Sequence, residues 1–216
     1  MRRLPVYLVL DCSGSMRGEP IKAVNAGIHR LISALRQDPV ALETAWLCII
    51  TFATEAQILL PLSEVTQIHP PEVTAGGRTA MGAALKLLCD SFDRDVVKTT
   101  QEQKGDWKPL VFLMSDGRPG DAVIRAIQSF KERRWGLVIC AATGSKINYT
   151  NLHQISPGGV VKLADHEPET LSRFFQWVSS SVVTGSRRIA EEQREAVILG
   201  QMPVLPDGVV YIENSE

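Results

Sequence analysis

The sequence predicts an α/β fold: a mostly parallel central sheet with one antiparallel edge strand and helices on both faces. Short apolar runs alternate with stretches of helical periodicity for most of the chain, the order that a covered parallel sheet requires. The runs at 6–10 and 110–114 carry no charged residue, as strands buried on both faces should. The segments 45–52 and 56–60 lie so close together that only a hairpin can join them, which turns the later strand antiparallel and puts it at the sheet edge.

Taken in order, residues 4–10 form the first strand. A helix follows from about Pro20, a residue favoured at a first helical position, with Ile21, Val24, Ile28, Leu31, Ile32 and Leu35 on one stripe. It ends near Asp38-Pro39. Residues 45–52 and 56–60 are the next strands, and residues 61–78, with Pro70-Pro71 and Gly76-Gly77, are loop. Met81, Leu85, Leu88 and Phe92 repeat at helical spacing, and residues 93–108 are a polar surface excursion. The central strand is 110–114. A helix is expected from Pro119, with Val123, Ile127 and Phe130 facing inward, then strands at 137–142 and 160–163. Leu171, Phe174, Phe175, Val178 and Val182 mark a closing helix.

At 216 residues the chain suits one such domain, residues 1–185, and a tail, residues 186–216. Within the tail, Asp207-Gly208 between apolar residues signals a short hairpin, with Pro206 restricting any strand to an edge; a docking segment is the other reading.

Composition excludes several functions. The 23 basic residues nearly cancel the 24 acidic ones, so no global field favours nucleic acid or an anionic membrane. No apolar run is long enough to span a bilayer. Residues 1–5 carry two arginines before an apolar stretch, as a signal peptide does, but Asp11 interrupts that stretch and no small-residue cleavage site follows. Cys48, Cys89 and Cys140 sit inside apolar patterns, which suits free thiols in a reducing compartment. His29, His69, His153 and His166 are scattered and no CxxC pair occurs, which argues against zinc.

The chemistry is concentrated where strands end. Ligands of open α/β sheets bind outside the carboxyl ends of the strands, near the point where strand order reverses. On that side the first strand delivers Asp11, Ser13 and Ser15, a loop before a helix delivers Thr79, and the central strand delivers Asp116. Carboxylates and hydroxyls are the ligands of a hard cation: magnesium or manganese, with calcium also compatible. The spacing Asp-x-Ser-x-Ser lets one short turn aim its side chains at a common point, and Gly14, Gly76-Gly77 and Gly117 give the loops backbone freedom. With only two carboxylates among these residues, a bound metal stays electron-poor and open to a partner's carboxylate.

Asp11-Cys12-Ser13-Gly14-Ser15, with Thr79 and Asp116, resembles the metal-ion-dependent adhesion site (MIDAS) of the von Willebrand factor A family, over about residues 4–184 with every motif position intact. The resemblance implies that both serines and the threonine touch the metal, that the aspartates often act through water, and that the ligand brings an acidic group. Gly105-Asp106-Trp107-Lys108-Pro109-Leu110-Val111-Phe112-Leu113-Met114-Ser115-Asp116-Gly117 further resembles the tellurium-resistance TerY-like type. That implies a bacterial cytoplasmic protein of a stress-response system, working beside a protein kinase and a phosphatase.

Arg17, Arg78 and Arg118 each follow closely on a different loop of the set and would form a basic rim suited to an acidic or phosphorylated partner; plain solvated surface is the competing reading. Cys12 is expected to pack rather than react, since alternation turns it away from the metal and no histidine stands near as a base. Trp107 and His29 read as packing and surface residues. A magnesium-dependent phosphohydrolase is the alternative, since aspartates at strand ends serve haloacid-dehalogenase-like enzymes too. Those need a second aspartate where Ser13 stands, and neither a GxSxG elbow nor a P-loop is present. The expected role is binding, not catalysis.

Overall fold

The computed structural model describes residues 2–144, 147–157, 159–164, 167–192 and 202–213. His166 and the tail residues 193–201 and 214–216 lie outside them.

A 7-stranded sheet runs in the order β3-β2-β1-β4-β5-β6-β7. Its strands are β1 (Leu4–Asp11), β2 (Ala45–Phe52), β3 (Ala56–Glu64), β4 (Leu110–Ser115), β5 (Leu137–Ala142), β6 (Val160–Leu163) and β7 (Val209–Ile212). Strands β1, β2, β4, β5 and β6 are mutually parallel, and β3 is antiparallel on β2 as expected. The opposite edge is antiparallel as well, because β7 pairs with β6. The helices are α1 (Glu19–Gln37), α2 (Pro39–Thr44), α3 (Met81–Asp95), α4 (Ile124–Lys131), α5 (Tyr149–Ile155) and α6 (Pro168–Glu192).

Every residue of β1 is buried, because alternate side chains enter two separate cores. Leu4, Val6, Leu8 and Leu10 join Val24, Ile28 and Leu31 of α1 and Phe174 and Val178 of α6. Tyr7 and Val9 join Leu85 and Leu88 of α3, Ile127 and Phe130 of α4 and Leu152 of α5. The sheet is therefore covered on both faces. Among the described residues no helix is long and apolar enough to cross a membrane.

Some local expectations are corrected. The fourth helix begins at Ile124, not Pro119, leaving residues 119–123 as loop. Residues 61–64 extend β3. The short helices α2 and α5 were not expected; α2 starts where the Asp38 carboxylate accepts the Ala41 N–H at 2.9 Å. Asp207-Gly208 does turn the chain, with Gly208 at φ +82°, but the strand that follows pairs with β6 across the sheet.

Strand order reverses between β1 and β4. From β1 the chain crosses to β2 on one side, and from β4 it crosses to β5 on the other. The carboxyl ends of β1 and β4 therefore border the crevice where this architecture binds ligands. Asp11 ends β1 and Asp116 follows β4.

Candidate metal centre

Asp11 is only 3% exposed, yet both of its carboxylate oxygens are engaged. Oδ1 accepts the Ser13 N–H at 2.9 Å, which bends the chain sharply just past the strand. Oδ2 accepts the Ser115 hydroxyl at 3.1 Å, tying the ends of β1 and β4 together. The bend brings the Ser13 and Ser15 hydroxyls to 3.2 Å from each other, with Ser13 buried and Ser15 exposed. Burial pushes the Asp11 carboxyl above its usual range; the Ser13 and Ser115 hydrogen bonds oppose that shift and the negative charge of Asp116 adds to it.

The other two loops are fixed to the first by main-chain hydrogen bonds. Gly14 N–H donates to Gly77 O at 3.1 Å, and Gly76 N–H to Cys12 O at 2.8 Å. Thr79 O accepts from Gly120 N–H at 2.7 Å, which joins the Thr79 loop to the one after β4. Asp116 Oδ1 accepts the Arg118 N–H at 2.8 Å, and its main-chain O accepts the Asn148 N–H at 2.8 Å. The backbone freedom expected of the glycines is used at Gly77, φ +79°, and Gly117, φ +70°. Gly14 does not have positive φ, and a Cβ there would stand 3.4 Å from Gly77 O, an ordinary contact, so the freedom expected of it is not used.

Asp11, Ser13 and Ser15 are thus in direct contact, with Asp116 close enough to raise the Asp11 carboxyl and Thr79 on a loop bonded to both neighbours. The donors are all oxygens, as magnesium, manganese and calcium prefer. Neighbouring ligands of an octahedron with bonds of roughly 2.1 Å stand about 3 Å apart, a separation the Ser13 and Ser15 hydroxyls already nearly have. The set fits a hard divalent ion. It is not a site of histidines, cysteines and carboxylates: among the described residues no three such side chains are grouped to hold a metal.

Arg17, Arg78 and Arg118 are all exposed. The Arg17 guanidinium lies over Gly76, where a Cβ would meet Nη2 at 3.4 Å, and the Arg78 main chain donates to Thr54 Oγ1 at 3.3 Å. None of the three is in an ion pair among the described residues. Cys12 packs as expected: it is 2% exposed in the α1 and α6 core, and burial pushes its thiol up to about 12. Trp107 is buried beneath the Arg2 guanidinium, and His29 is exposed.

Two supporting residues escape a reading of the sequence. Ser115, the last residue of β4, holds Asp11 from 104 residues away. Asp121 accepts the Gly82 and Ala83 N–H groups at 2.9 and 2.8 Å, capping α3 just beyond Thr79 from a distant loop. The missing cap was the only available signal, since Ala80 precedes α3 where a capping side chain normally stands.

A family model described as the von Willebrand factor type A domain matches residues 6–176. Among solved structures the chain resembles a von Willebrand factor type A protein from Catenulispora acidiphila, with TM-score 0.60 and 20% identity, over 85% of this chain and 43% of that one. It resembles proximal thread matrix protein 1 from the mussel byssus, with a zinc-occupied MIDAS motif, at TM-score 0.59 and 15% identity, over 86% and 46% of the two chains. BatB from Bacteroides thetaiotaomicron is similar at TM-score 0.53 and 17% identity, over 86% of this chain and 99% of that one. The chain spans less than half the length of the first two of these relatives. No curated protein sequence matches it significantly.

Proposed function

The chain belongs to the von Willebrand factor type A family, in general a family of metal-dependent protein-interaction modules, and on that premise we propose that it binds an acidic or phosphorylated protein partner through a divalent cation held by Asp11, Ser13, Ser15, Thr79 and Asp116. The observation that carries this reading is the pair of Ser13 and Ser15 hydroxyls 3.2 Å apart beside the buried Asp11 carboxylate. Bound there, magnesium or manganese, or calcium, would offer an electrophilic coordination position to a carboxylate or phosphate oxygen. The chain's own residues do the rest. Asp11 is held rigid by Ser13 and Ser115, and Gly117 and Gly77 shape the turns on either side. Neutral hydroxyls in place of further carboxylates leave charge for the partner to neutralise. The reading is one of binding without turnover.

Titration calorimetry tests it. Magnesium or manganese should bind the wild-type chain, and Asp11→Ala and Asp116→Ala proteins that stay folded by circular dichroism should show no binding. Equal metal affinity in the variants would overturn the proposal.

Arg17, Arg78 and Arg118 form the basic rim that selects the partner, supported by their exposure and lack of ion pairs among the described residues. Replacing all three with Ala should weaken capture of an acidic peptide at low salt by at least about tenfold while leaving metal affinity unchanged; undiminished capture would remove the rim from the proposal. The TerY-like resemblance of residues 105–117 supports a bacterial tellurium-resistance or stress-response setting, with an associated kinase or phosphatase as partner. Free, buried Cys12, Cys48, Cys89 and Cys140 support a cytoplasmic location.

A further inference from the structure

The end of the sheet opposite the candidate metal loops carries a cavity of about 470 Å³, within the roughly 300–1,000 Å³ of pockets that take small ligands. Topology explains what lines it. Strands β1, β4 and β5 are adjacent and parallel, so the residues that precede them meet at one end of the sheet. Arg2 comes from before β1, Lys108 from before β4, and Arg133 and Arg134 from before β5, while Lys98 lies on the stretch that follows α3. That stretch, read from sequence as a polar surface excursion, is a built wall. Asp106 N–H donates to Val97 O and Val97 N–H to Asp106 Oδ2, each at 2.8 Å, and Trp107 N–H donates to Arg3 O at 2.9 Å. The chain passes itself so closely there that a Cβ on Gly105 would stand 2.3 Å from Val97 O.

The chain as a whole is nearly neutral, but this lining is not. Its carboxylates are Asp93, Asp106 and Glu132, and the first two are engaged: Asp106 pairs with Arg3 at 2.6 Å and Asp93 with Arg133 at 2.5 Å. Arg2, Lys98, Lys108 and Arg134 are in no ion pair among the described residues, and Glu132 is the remaining lining carboxylate. Arg2 is nonetheless held in place, its Nε donating to Gly105 O at 2.7 Å and its guanidinium centre 3.5 Å over the Trp107 ring. Arg133 adds a buried Nε–H that has no acceptor among the described residues, where buried donors are as a rule satisfied. The carbonyl ends of α3 and α4 would repel an anion, but Arg3 donates to Asp95 O at 2.8 Å and Arg133 to Ser129 O. Phe92, Val96 and the exposed Val97 give the cavity an apolar side.

We infer that this cavity binds the diphosphate group of a small phosphorylated ligand, at a site separate from the metal loops. Lysine and arginine bring donors and no acceptor, and the guanidinium fork matches phosphate oxygens two at a time. One phosphate monoester carries about two negative charges, so Arg2, Lys98, Lys108 and Arg134 together answer two linked phosphoryl groups better than one. A nucleoside diphosphate and inorganic pyrophosphate share this chemistry, and only the former has a flat base to lay against Val96 and Val97. The near balance of charge over the rest of the chain gives a nucleic-acid strand no track to follow beyond the cavity.

Titration calorimetry of the full chain in chelator, which keeps the metal loops out of the measurement, tests this with pyrophosphate, ADP and orthophosphate. Pyrophosphate and ADP should both bind, and more tightly than orthophosphate. Tighter binding of ADP than of pyrophosphate assigns the apolar side to the base, and equal binding assigns recognition to the diphosphate alone; both support the inference. The Lys98→Gln/Lys108→Gln/Arg134→Gln variant should lose about tenfold or more in affinity for either probe, with its circular dichroism unchanged. Lys98→Gln and Arg134→Gln, each replacing one exposed side chain, should singly lose about threefold and serve where the triple variant does not fold. Lys104→Gln, an exposed lysine of the same stretch outside the lining, should bind as wild type does, and so should Asp11→Ala. Binding of neither diphosphate, equal binding of orthophosphate, undiminished affinity in the lining variants, or equal loss in Lys104→Gln would overturn the inference. So would a preference for a DNA oligonucleotide over both probes, or binding that needs magnesium and Asp11.

Discussion

A buried aspartate with both oxygens occupied behaves differently from one that merely faces solvent, and the site depends on that difference. Asp11, Ser13 and Ser15 were legible because their alternation sits directly after an apolar strand. Ser115 was not, because its contact with Asp11 spans 104 residues and leaves no local pattern. The glycines were legible as punctuation but not in their roles, since positive φ and close approach look alike in sequence. Gly77 and Gly117 combine both demands but face different obstacles, and substitution should tell them apart. A Cβ on Gly117 would meet the main-chain Asn148 O at 2.3 Å in addition to occupying φ +70°. At Gly77 the obstacle is the Thr54 hydroxyl, also at 2.3 Å, which is a side chain. Gly117→Ala should therefore destabilise the fold by about 1–3 kcal/mol in urea denaturation. Gly77→Ala should be partly rescued by Thr54→Ala, and Gly117→Ala should not. Equal rescue, or no loss at Gly117, would contradict the assigned roles.

Among elements, the long ones were legible and the short ones were not. Strands such as β1 and β4 advertise themselves because burial on both faces leaves unbroken apolar runs, and α1 and α3 repeat over many turns. Helices α2 and α5 are too short to develop a stripe, and α4, expected from Pro119, begins only at Ile124, after a loop whose Asp121 caps α3 instead. Helix α2 depends on a single residue. Asp38 caps it and also accepts from Arg187 of α6, with Nε at 3.0 Å and a second contact from Nη2. Burial alone would push its carboxyl up, but the Ala41 N–H and the Arg187 guanidinium outweigh it and hold the carboxyl below its usual range. The unfolded chain then binds the proton more tightly than the fold does. The stabilisation is complete above the ordinary aspartate value of about 3.9 and is lost as pH falls through the lower, folded value. Asp38→Ala should cost about 0.5–2 kcal/mol at pH 7 from the cap alone. The gap from wild type should narrow between pH 4 and pH 2 when urea midpoints are compared; a constant gap would assign the cost to packing.

For the whole molecule, the reversal of strand order between β1 and β4 explains why residues distant in sequence meet, and the alternation of strands and helices made that reversal foreseeable. The far edge was less legible, because β7 is 4 residues long and its partner strand ends at Leu163, on the other side of α6. The sequence divides the chain into a domain of residues 1–185 and a tail of residues 186–216, and that division has a sharp test. Val209 is 5% exposed, Tyr211 packs against the α1 and α6 core, and the Trp177 indole N–H donates to Pro203 O at 2.9 Å. Ending the chain at residue 202 would remove these contacts and expose the unpaired edge of β6. Burial of one valine contributes roughly 1.5–3 kcal/mol, and with the ladder and indole hydrogen bonds the loss should total about 2–5 kcal/mol. An unchanged melting temperature would show the segment to be a dispensable appendage. Magnesium affinity is the second readout, since Asp11, Thr79 and Asp116 lie on β1, the loop before α3 and the end of β4, all away from this edge. A truncated chain that still folds at low temperature should bind magnesium as the full chain does. Loss of metal binding in a folded truncation would mean that the far edge of the sheet helps to hold the site, contrary to the local network of Ser13, Ser115 and Gly120 described above.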